Sequence, residues 1–324
     1  MKNFLVFFKV YRFLNNLLSI FYSNKFSLQN NVILKNRHNK IFKEIRKILK
    51  ATPLEKKKIT SFDNFTNFRR EIMKILNNSR LLGNFLKNPE IQKIMFGTNR
   101  FFFYLELLEL KNDYNWNLIW KKNINENYVG NPIPYFLYPE SSGNRIHDLF
   151  HLKYIFNFRE KINKINTIFE FGGGYGNLCH LINKILKPKT YIIYDLPEVC
   201  ILQYYYLRML GYNVNISQKS IKKKFINLIY NKDLIHNNFL KKKEFNKSLF
   251  ISNWALSESP ISLRSKFLGI INGTKLVFLA FQEKFRNIDN LNYFKNKIKK
   301  SKYLRIKKFK RLNEKHYYLW NINK

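Results

Sequence analysis

The spacing of apolar side chains predicts two differently built parts of the chain. In residues 1–128, apolar positions recur every three to four residues, as at Phe68, Ile72 and Ile75 and again from Phe102 to Leu110. This period is typical of helices that bury one face. We therefore expect a helical N-terminal module.

A proline-rich segment ends the helical pattern. Pro132 and Pro134 lie close together in the stretch 129–135, and proline both breaks a helix and restricts the preceding residue to extended backbone. The sequence therefore predicts a domain boundary here. We expect a helical module at 1–128 and a second domain at 129–324.

Short apolar runs alternate with helical segments in the second part. The runs carry the β-branched and aromatic side chains of buried strands, and repeated strand–helix–strand alternation favours a parallel sheet covered on both faces. The predicted fold class is α/β, a doubly wound Rossmann-like sheet that a C-terminal hairpin closes. We expect strands at 167–171, 190–194, 248–252 and 275–281, helices at 143–155, 177–186 and 197–210, and the hairpin at 303–309 and 316–320.

The composition indicates a folded chain with a large basic excess. Apolar residues make up 45%, and 59 Lys and Arg outnumber 21 Asp and Glu, which gives a net charge of +38. Such a charge is typical of proteins that bind polyanions. However, Lys, Asn, Ile, Phe and Tyr are all abundant together, which indicates a global compositional bias. We therefore do not expect nucleic acid as a partner. Cys179 and Cys200 are too few for a disulfide framework and fit a reducing cytoplasm.

The first residues, 1–22, are apolar and basic. Lys9, Arg12 and Asn15 interrupt the apolar run, so the segment fits neither a signal peptide nor a membrane span. It favours an amphipathic helix that either packs on its own protein or lies on a membrane surface. The expected location is the cytoplasm, with peripheral contact at the inner membrane face as the alternative.

A glycine-rich turn joins the strand at 167–171 to the helix that follows it. The turn therefore lies at the carboxyl edge of the sheet, where open α/β folds bind ligands. Glycines there allow a sharp bend and the close approach of a ligand. We assign cofactor binding to Glu170, Gly172, Gly173, Gly174, Tyr175 and Gly176.

The glycine spacing separates two classes of cofactor. A dinucleotide fingerprint needs glycines at n, n+2 and n+5, and the residue at n+5 from Gly172 is Asn177. Glu170, just before the turn, would repel a pyrophosphate and can accept hydrogen bonds from an ammonium group. S-adenosylmethionine carries an ammonium group and no phosphate. We predict it as the cofactor, and Asn177 disfavours the alternative of a nicotinamide-dependent sugar enzyme.

Asp195 ends the second predicted strand of the sheet, and Leu196 follows it. A carboxylate at this place can accept both ribose hydroxyls of a nucleoside, and it can also cap the next helix. We assign Asp195 and Leu196 to the cofactor site. Asn253, after the strand at 248–252, is assigned either a contact with the cofactor or substrate, or a loop cap.

These motifs resemble class I S-adenosylmethionine-dependent methyltransferases of the small-molecule O-methyltransferase type. They are most similar to sugar O-methyltransferases of bacterial surface-glycan gene clusters. The resemblance implies methyl transfer to a sugar hydroxyl, on a nucleotide sugar or a surface polysaccharide intermediate. The stretches that carry it are 129–132, 169–176, 194–199, 203–207 and 250–258.

A hydroxyl acceptor needs a base that takes its proton. In plant-type O-methyltransferases a catalytic histidine stands beside a tryptophan after the fourth strand, whereas this chain has Asn253 and Trp254 there, so that role is not transferred. The candidate bases are His147 and His151, which share one face of a predicted helix, and Glu258. Two histidines without a further ligand do not predict a metal site.

The expected partner is a sugar or glycan acceptor. Tyr135, Tyr138 and Trp254 are candidates either for stacking on a sugar ring or for core packing. We expect the helical module to cover the acceptor or to mediate a homodimer. Two alternative functions stay open, an RNA methyltransferase, which the charge favours, and a non-catalytic glycan-binding protein that keeps the cofactor fold.

Overall fold

The computed structural model describes residues 25–26, 32–52, 63–95, 102–156, 162–239, 247–298, 304–311 and 314–322. They fall into two units. The first lies within Met1–Tyr154 and includes Tyr205–Gly211, and the second comprises Ile155–Tyr204 and Tyr212–Lys324. The boundary expected between residues 128 and 129 stays a prediction. The amphipathic segment predicted at 1–22 lies outside the described residues.

The elements from Val32 to Phe156 are mainly helices, as the sequence predicts. They are α1 (Val32–Ala51), α2 (Asp63–Asn77), α3 (Ser79–Gly83), α4 (Pro89–Ile94), α5 (Phe102–Lys111), α6 (Lys121–Asn123) and α7 (Gly143–Phe156), a 3-10 turn at Phe85–Lys87, a π-helical turn at Trp116–Trp120, and the antiparallel pair β1 (Pro134–Tyr135) and β2 (Tyr138–Ser142). None of the described helices is long and apolar enough to cross a membrane.

Helix α2 buries the apolar face that its sequence pattern indicates, including Ile72 and Leu76, which are both 0% exposed. Helix α5 is also confirmed, but its buried face differs from the most apolar one. Leu105 is 53% exposed, whereas Glu106 is buried. The reason is a polar partner, because His147 Nδ1 lies 2.9 Å from both carboxylate oxygens of Glu106.

The second unit contains a sheet of eight strands and the helices that cover it. The elements from Thr167 onwards are β3 (Thr167–Phe171), α8 (Asn177–Ile185), β4 (Thr190–Tyr194), α9 (Pro197–Met209), β5 (Val214–Asn215), β6 (Ile226–Ile229), α10 (Lys232–Phe239), β7 (Ser248–Asn253), α11 (Ala255–Glu258), α12 (Ile261–Gly273), β8 (Leu276–Gln282), the short pair β9 (Lys284–Phe285) and β10 (Ile288–Asp289), α13 (Asn290–Lys297), β11 (Arg305–Arg311) and β12 (Glu314–Ile322). The residues of α9 from Tyr205 on belong to the first unit.

The strand order of the large sheet is β5-β6-β4-β3-β7-β8-β12-β11. The neighbours from β5 to β8 pair in parallel, and β12 pairs antiparallel with both β8 and β11. From β6 to β8 this order is 3-2-1-4-5, the order of doubly wound Rossmann folds. The predicted fold class is therefore confirmed, including the hairpin that closes the sheet. The order reverses between β3 and β7, and such a switch point is where open α/β sheets bind ligands.

From the sequence, no element was predicted at β5, β6, α10, α12 or α13. Strand β6 carries Asn227 in a buried position, which obscures its apolar pattern. The amide is satisfied there, because Nδ2 donates to the carbonyls of Lys222 and Phe225 at 2.9 and 3.0 Å. A fully hydrogen-bonded polar side chain can replace an apolar one inside a sheet.

Stacked aromatic rings support the centre of this sheet. Phe169 on β3 and Phe250 on β7 are both fully buried, and their ring centroids lie 5.4 Å apart. Such rings bury a large apolar area and pack face to face with an offset. They hold together the two strands that border the switch point.

Replacement of Phe250 by alanine tests this support. We expect Phe250→Ala to lower the free energy of unfolding by about 3–5 kcal/mol, because it removes a fully buried ring and leaves a cavity. Urea denaturation measures the change. Ile261→Ala is the control, since Ile261 is 40% exposed and should change stability by less than about 0.5 kcal/mol. A loss below about 1 kcal/mol for Phe250→Ala contradicts the account.

Candidate functional site

The glycine turn between β3 and α8 has the backbone conformation that requires glycine. Gly172, Gly174 and Gly176 have φ angles of 76°, 55° and 99°, a region that side chains with a Cβ rarely adopt. Two hydrogen bonds close the turn, from Gly172 N to Tyr194 O and from Gly176 N to Gly173 O, both at 2.9 Å. Gly176 then serves as the residue before the first turn of α8.

The glycines of the turn face different surroundings. A Cβ on Gly172 would collide with the Cβ of Ala255, and one on Gly173 would lie 2.7 Å from Ile193 Cγ2. A Cβ on Gly174 would meet no atom within 4 Å. Gly172 and Gly173 are therefore required for packing, whereas Gly174 borders open space. Of these three glycines, only Gly174 has open space in the direction of its missing side chain.

Asp195 follows β4, and its carboxylate lies against the glycine turn. Oδ2 accepts hydrogen bonds from Gly173 N at 3.0 Å and from Gln203 Nε2 at 2.9 Å, and Oδ1 accepts one from Leu196 N at 2.9 Å. Leu196 lies directly before α9, so this contact is not a hydrogen bond to the first turn of the helix, and the helix-cap role of Asp195 stays a prediction. The carboxylate joins the turn after β3 to the end of β4.

Burial raises the pKa of Asp195 to about 7, although the hydrogen bonds from Leu196, Gln203 and Gly173 act in the opposite direction and the Glu198 carboxylate adds to the rise. Desolvation disfavours a charge, and donors to a carboxylate favour it. The two effects together give a carboxyl group that changes its charge close to neutral pH.

Glu170 lies within β3 and is 2% exposed. Its Oε2 accepts a hydrogen bond from the Tyr191 hydroxyl at 2.8 Å. Burial raises the pKa of the Cys179 thiol on α8, and the nearby charge of Glu170 raises it further. Glu170 is thus a buried carboxylate with one side-chain donor from β4. Tyr175 of the turn is also buried, at 3% exposure.

The loop after β7 lies next to the glycine turn and has a strained backbone. Trp254 has φ 62° and ψ −43°, a conformation that is costly for a bulky residue and occurs mainly at functional sites. Trp254 N donates to Ala280 O at 2.7 Å, and the indole Nε1 donates to His316 Nδ1 at 3.2 Å. Ser252 Oγ, which donates to Phe171 O at 2.9 Å, ties the end of β7 to the end of β3. Asn253 is the last residue of β7.

Glu258 belongs to a hydrogen-bonded cluster beyond this loop. Gln282 Nε2 donates to Glu258 Oε1 at 3.1 Å. Burial raises the pKa of Glu258, and both Gln282 and the Arg264 guanidinium lower it. Arg264 is fully buried and donates from NH1 to Asn290 Oδ1 at 2.8 Å. The carboxylate therefore has fixed polar partners.

His147 and His151 lie on α7 in the first unit and are both buried, with ring centroids 4.2 Å apart. Glu106 holds the Nδ1 of His147. Tyr135 is fully buried and packs on Phe103, with 6.2 Å between the ring centroids. It is therefore a core residue, the second of the two roles that the sequence left open for it. Among the described residues, no group of three or more His, Cys, Asp or Glu side chains could hold a metal ion.

The second unit brings together Glu170, the glycine turn, Asp195 and Leu196, and it places the loop after Asn253 beside the turn. Sequence reasoning gave no role to Gln203 or to Ala255. A signal for Gln203 exists, because residues 196, 200 and 203 share one face of a helix that begins beside Asp195. Ala255 carries no comparable signal, since its role depends on two distant segments that meet.

Comparison with solved structures finds several chains of low similarity. TrmK of M. capricolum in complex with S-adenosyl-homocysteine has 13% identity and a TM-score of 0.33, and the match covers 52% of this chain and 67% of that one. The methyltransferase domain of a bacterial CtHen1 has 12% identity, a TM-score of 0.37 and coverages of 53% and 97%. Human N-acetylserotonin methyltransferase in complex with SAM has 13% identity, a TM-score of 0.27 and coverages of 55% and 57%.

No family model and no curated protein matches the chain. The structural likenesses are weak in both identity and TM-score. The fold assignment therefore rests on the strand order and pairing of the sheet.

Alanine at two glycines of the turn tests the difference in their surroundings. We expect Gly172→Ala to lower the free energy of unfolding by about 2–5 kcal/mol, because it adds a collision with Ala255 to the strain of a positive φ angle. Gly174→Ala carries only the strain, about 1–2 kcal/mol. Urea denaturation of both variants measures this, and equal losses would show that the two glycines do not differ in packing.

Proposed function

We propose that the second unit binds S-adenosylmethionine over the glycine turn and transfers its methyl group to a hydroxyl of a sugar or glycan acceptor. The observation that carries the proposal is the contact between Gly173 N and Asp195 Oδ2 beside the open face of Gly174. It joins a carboxylate that can accept a ribose hydroxyl to a glycine whose missing side chain would point into open space. Both lie at the carboxyl edge of the sheet beside its switch point, where the fold favours binding.

The donor set fits this cofactor better than a dinucleotide. Asp195 and Glu170 supply two carboxylates next to the turn. Acidic groups attract the ammonium group of a methionine portion and repel a pyrophosphate. A Cβ at Gly174 would occupy the space that the proposal gives to the cofactor.

Glu170 is proposed as the acceptor for the ammonium group. A carboxylate accepts strong hydrogen bonds from an ammonium group, and Glu170 lies two residues before the first glycine of the turn. Asn253 and Tyr175 complete the proposed cofactor contacts. Asn253 ends β7, two residues before Ala255, which packs on Gly172 of the turn.

Catalysis needs an oriented acceptor and a group that takes its proton. When bound, the cofactor supplies an activated methyl group on a sulfonium, so that orientation of the acceptor accounts for much of the acceleration. Glu258 is the proposed base within the second unit, because burial raises its pKa, and a higher pKa makes a carboxylate a stronger base. His147 and His151 are the alternative bases, and Glu106 orients His147.

The acceptor class rests on the resemblance of five sequence stretches to sugar O-methyltransferases. Trp254 is the aromatic candidate nearest the turn, since Ala255 follows it. An indole face can stack on the apolar face of a sugar ring. Trp254 is 7% exposed, so that stacking would require the loop to move.

Calorimetric titration with S-adenosylmethionine tests the cofactor assignment. We expect a dissociation constant in the micromolar range for the wild-type chain. Asp195→Asn should weaken binding by about tenfold or more, because a charged acceptor is lost, and Gly174→Ala should abolish it while the protein remains folded. Asp289→Asn is the matched control, since Asp289 caps α13 and asparagine is an equally good cap. No binding by folded wild-type protein would overturn the proposal.

Transfer of a labelled methyl group tests the acceptor class. With nucleotide sugars and oligosaccharides as acceptors, we expect the label in an alkali-stable ether on a sugar hydroxyl, and about tenfold less label with Asp195→Asn at cofactor concentrations below saturation, because that variant binds the cofactor more weakly. RNA is offered in parallel at low and high salt. Label on RNA alone, falling steeply with salt as phosphate contacts do, would contradict the sugar assignment and favour an RNA methyltransferase. Cofactor binding without transfer to any acceptor would favour the non-catalytic alternative.

A further inference from the structure

One buried amide connects the two halves of the proposed cofactor site. Gln203 lies on α9 and is 0% exposed. Its Nε2 donates to Gly174 O and to Asp195 Oδ2, both at 2.9 Å. The same group thus holds the turn after β3 and the carboxylate after β4.

The carbonyl oxygen of the Gln203 side chain receives no hydrogen bond from the described residues. This atom, Oε1, is buried. A buried acceptor without a donor costs stability. The stabilising contacts of the amide are therefore those of Nε2, and the one to Asp195 is charge-assisted and the stronger of the two.

The hydrogen bonds also determine which carboxylate oxygen can meet a ligand. Oδ2 of Asp195 accepts from Gly173 N and Gln203 Nε2, whereas Oδ1 accepts only from Leu196 N within the described contacts. Each carboxylate oxygen offers about two acceptor positions. Oδ2 is therefore filled, and Oδ1 retains one position for a ligand hydroxyl.

We propose that Gln203 is a positioning residue that holds Asp195 with Oδ1 towards the cofactor, so that Asp195 binds one ribose hydroxyl through Oδ1 and not both hydroxyls through two oxygens. This inference rests on the proposed function. It replaces the bidentate contact expected from the sequence with a single one. The orientation of the Asp195 carboxylate then depends on the Gln203 amide on α9.

The same contact influences the charge of Asp195. A donor to a carboxylate favours the ionised form, so Gln203 lowers the pKa of Asp195 against the effect of burial. The titratable groups that interact with Asp195 are Glu198 and Cys200 on α9 and Tyr194 on β4. They are unchanged when Gln203 is replaced, so a shift in pH dependence reports on Gln203 alone.

The test variant is Gln203→Met, which keeps the length of the side chain and removes the donor. It also removes the unsatisfied oxygen, so we expect little change in stability at about pH 5, where Asp195 is protonated. Gln203→Leu is the second variant if the first does not fold. Gln92→Met is the matched control, because Gln92 also donates to a backbone carbonyl, that of Leu86, in the first unit.

The first measurement uses the protein without cofactor. Because the pKa of Asp195 is raised in the folded state to about 7, the protonated form favours folding, and this contribution is lost as the pH rises through about 7. Without the Gln203 donor the pKa moves up by about one unit, so the loss continues to higher pH. We expect the melting temperature of Gln203→Met to match wild type at about pH 5 and to fall below it at about pH 8. An equal loss at both pH values would indicate a purely structural role and would overturn the inference.

The second measurement is the dissociation constant of S-adenosylmethionine between about pH 6 and pH 9. Ionised Asp195 accepts the ribose hydroxyl, so binding weakens as the pH falls through the pKa. For Gln203→Met we expect about five- to tenfold weaker binding at pH 8 and a midpoint about one pH unit higher. Unchanged binding and an unchanged midpoint would overturn the inference while the proposed function stands. Failure of the wild-type protein to bind the cofactor would instead overturn the proposed function itself.

Discussion

Desolvation of a single carboxylate constrains the geometry around the switch point of the sheet. Asp195 loses water on folding, which raises its pKa to about 7, and three donors compensate for that loss. These donors come from the glycine turn, from Leu196 directly before α9 and from Gln203. Because a buried carboxylate needs such partners, the turn after β3 and the helix after β4 must keep fixed positions relative to Asp195. The open face over Gly174 follows from that arrangement.

The neighbouring loop adds a second constraint from the other side of the switch point. Ala255 packs so closely on Gly172 that no side chain fits between them. Trp254 holds a strained backbone conformation, and its contacts with Ala280 and His316 stabilise it. Strain of this kind persists only where the surrounding structure supports it. These contacts position the end of β7 beside the turn, and any movement of the loop has to break them.

Most of the fold of the second unit could be predicted from the sequence, because β4, β7 and β8 are largely apolar runs and β3 leads directly into the glycine turn. Strand β6 was missed because Asn227 interrupts its apolar pattern. Helix α5 buries Glu106 instead of Leu105 because the Glu106 carboxylate accepts a hydrogen bond from His147 Nδ1. The turn and Asp195 were found from their spacing. The orientation of Asp195 could not be found, since it depends on Gln203 and on backbone donors that only the folded chain brings within 3.0 Å.

In the proposed complex, a nucleoside ribose lies over Gly174 and contacts Oδ1 of Asp195. A crystal structure of the wild-type protein grown with S-adenosyl-homocysteine would show this contact. We expect ligand density above Gly174, with one ribose hydroxyl within about 3 Å of Oδ1 and with the Gln203 and Gly173 contacts to Oδ2 retained. Ligand bound elsewhere, or a ribose that displaces Gln203 from Asp195, would contradict the proposed complex.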